Sequence, residues 1–282
     1  MDRNPMFWKR RLKSRFEDIH VVYDRERLTV SRSRSVLLVA TGYGLLVLLL
    51  GMIGGVSGYV GMVLNLLTPL EFLLPVIAAA FGYRALLEDE LSGESAVLRT
   101  FPLSRESYVG GILLARIVIL LAVVLGPLEV IGIVVPFAAD ASSRFLLQRT
   151  TYSGVVLYLR FAVLTAAGAV VLFTIVATVS AAARQLRRAI TLAVLIAVAL
   201  AVGFDLLIIG GYAVDLFPPE WLPWLIAGSP VSAYRSLVLT LVVEPTATMS
   251  IEAGSSILSI LGLLLWLFGS LGASIVLVWR KE

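Results

Sequence analysis

The sequence has no cysteine and a single histidine, and only 15% of its residues are charged. The first absence excludes disulfides, thiolate nucleophiles and cysteine metal sites. The histidine, His20, stands in the polar N-terminal segment, which excludes a serine–histidine dyad within an apolar run. With five methionines and no cysteine the chain is poorly equipped to hold a soft metal ion, so no metal site is expected. It also lacks a Gly-x-x-x-x-Gly-Lys-Ser/Thr loop to cradle phosphates, and no polar stretch is long enough to build a nucleotide-binding domain. A catalytic role and a cofactor on this chain are therefore not expected.

What the sequence has is apolar length. Hydrophobic residues make up 59% of it and the mean hydropathy is +0.95, outside the range of a water-soluble core. Six runs reach the ~20 residues that a bilayer crossing needs. They cover 36–56, 62–87, 109–139, 153–183, 189–212 and 256–279. The expected fold is all-α, a polytopic protein of the cell membrane with a basic segment 1–35 ahead of a six-span transmembrane domain 36–282. A seventh apolar stretch, 221–243, is divided by Gly228, Ser229 and Pro230 into pieces too short to cross alone. It reads as a broken or re-entrant pair of short outer helices before the last span, with Trp221 and Trp224 at headgroup depth.

The net charge of +4 does not point to nucleic acid, because 10 of the 23 Lys and Arg precede the first apolar run. Eighteen basic residues fall on the side of the N-terminus and three, Arg144, Arg149 and Arg235, on the other. By the positive-inside rule both termini are expected in the cytoplasm. Asn4 can cap a helix that starts at Pro5 and places Trp8, Leu12, Phe16 and Ile19 on one face, with Lys9, Arg10, Arg11, Lys13 and Arg15 around the rest. Such a helix suits the surface of an anionic leaflet, with membrane lipid as its partner, although a plain basic tail would also enforce the topology.

Two groups of residues are candidates for function. The first is the interruption at 88–108, which carries Glu90, a turn at Gly93, and Glu94, followed by Val97, Leu98 and Phe101. Pro102 ends any helix formed there, and Ser104 can cap the next one beside Arg105. A short helix showing apolar side chains to the cytoplasm is a docking knob for another protein. The second is a set of ionisable residues within the runs, Glu71, Glu129, Arg160 and Asp205, each costly at bilayer depth. They suggest either a structural pairing of Arg160 with Glu129 or Asp205, or the lining of an outward cavity. Two other readings stay open: a membrane enzyme using Glu129 and Asp205, and an anchor that recruits a cytoplasmic protein through 88–108.

The 88–112 segment, with its acidic residues, Gly-containing turn, short apolar helix, Pro102-Leu103-Ser104-Arg105 and Gly110-Gly111, resembles the signature of type 2 ABC exporter permeases. The segment Gly228, Ser229, Pro230, Val231, Ser232, Ala233, Tyr234, Arg235 also resembles an element of the NosY-like branch, associated with nitrous-oxide-reductase maturation. The resemblance implies a permease subunit that works as a dimer with a second copy or homologue. It further implies an ATP-binding-cassette ATPase subunit as partner, ATP and Mg being held there, and a coupling helix at 94–101. The sequence departs from the pattern at Gly93-Glu94, where Gly-Thr is usual, and at Ile112, where Lys is common.

Overall fold

The computed structural model describes residues 5–55, 58–94, 98, 100, 103–138, 141–246 and 255–278. Within these the chain is helical, and no strand occurs among the described residues. In lipid every backbone N–H and C=O must be satisfied inside its own segment, which leaves helices as the means by which these apolar runs can cross.

Helix α1 is Pro5–Ser31, α2 Arg34–Gly55 and α3 Gly58–Gly82. A turn leads to the short α4, Glu88–Leu91, and then come α5, Arg105–Ala138, and α6, Ala141–Ala182. Helix α7, Leu186–Ala213, contains a π turn at Ala199–Gly203. Two short pieces follow, α8, Pro219–Gly228, and α9, Pro230–Val243, which ends in a second π turn at Leu239–Val243. Helix α10, Ser256–Leu277, completes the chain. Six of these helices, α2, α3, α5, α6, α7 and α10, are long and apolar enough to cross a membrane. Helices α8 and α9 meet at 103°, the geometry of a broken span or re-entrant hairpin.

The fold is thus that of an all-α multi-pass membrane protein, built around α3 and α6. Leu66, Leu70, Leu74, Ile77 and Phe81 recur on one face of α3, fully buried, while Phe161 and Phe173 of α6 are buried to the same degree. Helix α3 keeps Pro69 and Pro75 inside it, which neighbouring helices make tolerable in a span. Polar side chains fasten α6 to its neighbours. The Thr178 hydroxyl lies 2.9 Å from that of Ser274 on α10, and the Ser180 hydroxyl accepts the Leu86 N–H at 2.8 Å in the turn before α4.

The N-terminal helix extends further than its amphipathic stretch suggests. It continues to Ser31, breaks only before Ser33, and lies against α5. Its side chains up to residue 16, including Trp8, Leu12 and Phe16, fall outside the described residues.

The hairpin α8–α9 is held against α10. The Trp266 indole N–H donates to the Gly228 carbonyl at 2.9 Å. Gly262 packs so closely on Ala227 that a Cβ there would stand 2.0 Å from the Ala227 carbonyl oxygen. Only a residue without a side chain permits that approach.

Candidate functional site

Two polar assemblies organise the molecule, one at the α4 end of the bundle and one within it. The first begins with α4, whose three acidic residues stand in its single turn. Asp89 is buried and accepts both Nη atoms of Arg25 on α1, together with the Tyr108 hydroxyl of α5 at 2.8 Å. Arg116 of α5, also buried, donates to Glu26 of α1 at 2.6 Å, to the Phe81 carbonyl of α3 at 2.9 Å and to Glu88 at 3.2 Å. Glu88 further accepts from Arg84 at 2.9 Å. Four elements are therefore tied together by charge-assisted hydrogen bonds, which are about twice as strong as neutral ones. Burial pushes the Glu26 carboxyl above its ordinary value, with Arg116 opposing it.

The 88–108 segment continues from this knot. Gly93 takes φ +79°, a left-handed turn that favours glycine and releases the chain from α4. The exposed Glu94 accepts a second bond from Arg25. Glu90 is half-buried and has a partner of its own. Ser104 accepts the Ser107 N–H at 3.1 Å, an N-cap for α5, directly before Arg105. Leu98 differs from the expectation of full exposure: it is half-buried and packs on the hydrophobic core. Val97, Phe101 and Pro102 lie outside the described residues.

The second assembly lies where α9 enters the bundle. Ser229 caps the helix by accepting the Ser232 N–H, and Pro230 follows at the first helical position. One turn of helix then aims three polar side chains in chosen directions. Ser232 donates to Asp205 of α7 at 2.6 Å, and the Tyr234 hydroxyl lies 3.0 Å from Thr165 of α6. Arg235 places Nε and Nη2 on the two oxygens of Glu71 at 2.7 and 2.6 Å, and the same Nη2 reaches Asp205 at 2.7 Å. Glu71 is ten residues from one end of its span, Gly61–Gly82, and so lies about 15 Å deep.

The polar set read from the sequence is rearranged accordingly. Glu71 and Asp205 do come together, but the cation between them is Arg235 and not Arg160. Arg160 donates to the Leu241 carbonyl at 3.3 Å, a backbone acceptor supplied by the π turn of α9. Glu129 is exposed on α5 and has no ion pair or side-chain hydrogen bond among the described residues. The carboxylate pair of the enzyme reading is not assembled: Asp205 is bound to Arg235 and Ser232, and Glu129 belongs to neither assembly. Arg235 was missed because it follows the break at Gly228, Ser229 and Pro230, and a count of charges assigns such a position to an outer loop.

A sequence profile described as "ABC-2 family transporter protein" matches residues 13–282, nearly the whole chain. Comparison with individual curated sequences returns no match. Permeases of this family work with an ATPase subunit and are themselves the non-catalytic membrane component. The chain belongs to the ABC-2 transporter family, as a multi-pass transmembrane component of an ABC transporter.

Proposed function

We propose that this chain is the permease subunit of an ATP-driven exporter, moved by a separate ATPase that docks beneath α4 and the 94–103 segment. The observation that carries the reading is the knot of Arg25, Asp89, Tyr108, Glu26, Arg116 and Glu88, which joins that segment to α1, α3 and α5. A push on a short helix is lost if the helix swings freely. Here the force would pass through buried ion pairs into two spans. The excess of basic residues supports placing the α4 end and both termini in the cytoplasm. Glu94, Val97, Leu98 and Phe101 are then the coupling segment, ATP and Mg are held by the partner, and a second copy or homologue completes the path. Within the family we place the chain nearest the branch associated with nitrous-oxide-reductase maturation, on the Gly228 to Arg235 segment.

The natural absence of cysteine makes the test direct. Ser92→Cys puts one thiol on an exposed position of the turn, and Val214→Cys one at the far end of α7. With a reagent that joins a maleimide to a photoreactive group, the Ser92 variant should cross-link to a co-expressed ATP-binding subunit and the Val214 variant should not. Equal cross-linking of both, or of neither, would remove the docking site from the proposal.

A further inference from the structure

A cavity of about 230 Å³ opens beside the second assembly, between α7 and the α8–α9 hairpin. Its polar wall is Asp205, Ser232 and Arg235, and its remaining surface is largely aliphatic, with Ile208, Ile209 and Leu239. Glu71 stands behind this wall, nearly sealed, while the side chains of Asp205 and Arg235 keep 23% and 35% of their surface open.

Charge decides what such a cavity receives. Two carboxylates share one guanidinium, and Glu71 engages it through both oxygens. One negative charge is left over, and Asp205 is the carboxylate that presents it to the cavity. A carboxylate left over at bilayer depth is costly unless a cation meets it. Each Asp205 oxygen holds one donor, Ser232 or Arg235, and each keeps a lone pair for another. Calcium or magnesium takes six or more oxygen ligands and zinc favours histidine or cysteine, whereas this wall offers one carboxylate and serine hydroxyls. Aliphatic walls around a single anionic point suit an ammonium group carried on an apolar body.

A second feature bears on the same place. The helices that carry Asp205 and Arg235 are each interrupted by a π turn, Ala199–Gly203 just before Asp205 and Leu239–Val243 just after Arg235. Such turns interrupt the regular hydrogen-bond ladder and gather at functional sites. Here they flank the two charged residues of the cavity wall, and Leu239 of the second turn lines the cavity itself.

We propose that this cavity is a binding site for an amphipathic organic cation, a primary ammonium on a hydrocarbon body, with Asp205 as the group that recognises the charge. The inference rests on the permease reading, for which it names a class of cargo.

The test uses the chain alone in nanodiscs, carrying Ile209→Cys on the cavity wall as its only thiol. Dodecylammonium should slow the reaction of that thiol with a maleimide, and dodecanol at equal membrane loading should not. Adding Asp205→Asn should raise the half-protecting concentration at least about tenfold, the size of a lost charge-assisted bond. Because Asp205→Asn could disturb folding, Leu239→Trp provides a second route: it fills the cavity, leaves the charges in place, and should also abolish protection. Equal protection by dodecanol, or full protection in both variants, overturns the proposal. So does an Ile209→Cys labelling rate that ignores dodecylammonium and responds to pH only while Asp205 is present, since the neutralising cation is then a proton. No ATPase takes part, so failure here with Ser92 cross-linking intact defeats the cargo assignment and leaves the permease reading standing.

Discussion

Arg235 closes on Glu71 with two parallel hydrogen bonds of 2.7 and 2.6 Å, across 164 positions of sequence. The pair joins the α8–α9 hairpin to a buried position in the middle of α3. Its geometry is that of an arginine fork on a carboxylate, which a lysine could not reproduce.

Removing Arg235 leaves Glu71 and Asp205 at bilayer depth without the cation they share. Arg235→Gln should therefore destabilise the protein by roughly 3 kcal/mol. The double variant Glu71→Gln, Arg235→Gln should recover part of that loss. Thermal midpoints in detergent measure both, and a double variant no more stable than Arg235→Gln would count against the pairing.

The seat of the hairpin on α10 is tested by a pair of glycines. Gly262→Ala forces a Cβ to within 2.0 Å of the Ala227 carbonyl oxygen, whereas nothing lies within 4 Å of a Cβ at Gly272. The first should cost about 1 to 3 kcal/mol through overpacking and lower the yield of folded protein. The second should be close to neutral. Similar yields and midpoints for the two would show that the contact does not hold the hairpin.

Much of this architecture was legible in the sequence, and the part that was not has a physical cause. The six spans and the break at Gly228, Ser229 and Pro230 follow from apolar length and backbone chemistry, both of them local. The partner of Glu71 is not local. Hydropathy assigns an arginine near an apolar run to a water-facing end, and only the 103° hairpin brings Arg235 inside. Arg160 was the natural choice because it lies within a run, yet a carbonyl in the π turn satisfies it. In the knot, Asp89 could not be told from Glu90 or Glu94 by residue type, because α4 is one turn long and its facing partners on α1 and α5 decide which acid is buried.

Glu26 predicts a pH dependence. Its carboxyl is raised above the ordinary 4.5 by burial, so the folded state holds the proton more tightly than the unfolded chain. The stability this group contributes is complete below that ordinary value and is lost as pH rises through the raised one. Glu26→Gln should remove that part of the slope. Midpoints measured from pH 4 upward should fall for the wild type relative to the variant, and parallel curves would contradict the assignment.

Topology can be read with the same engineered thiols. In intact cells an impermeant maleimide should label Val214→Cys and spare Ser92→Cys until the membrane is opened. Labelling in the reverse order would place the α4 end outside the cell.

In the proposed mechanism force enters at the α4 knot and is felt in the bundle. The most direct measurement is the labelling rate of Ile209→Cys in the complex with its ATPase, with and without ATP and Mg. An intact knot predicts a several-fold change in rate on adding ATP, lost when Glu88→Ala and Asp89→Ala free α4 from Arg116, Arg25 and Tyr108. A rate that ignores ATP, or one that still responds after the knot is cut, would contradict it.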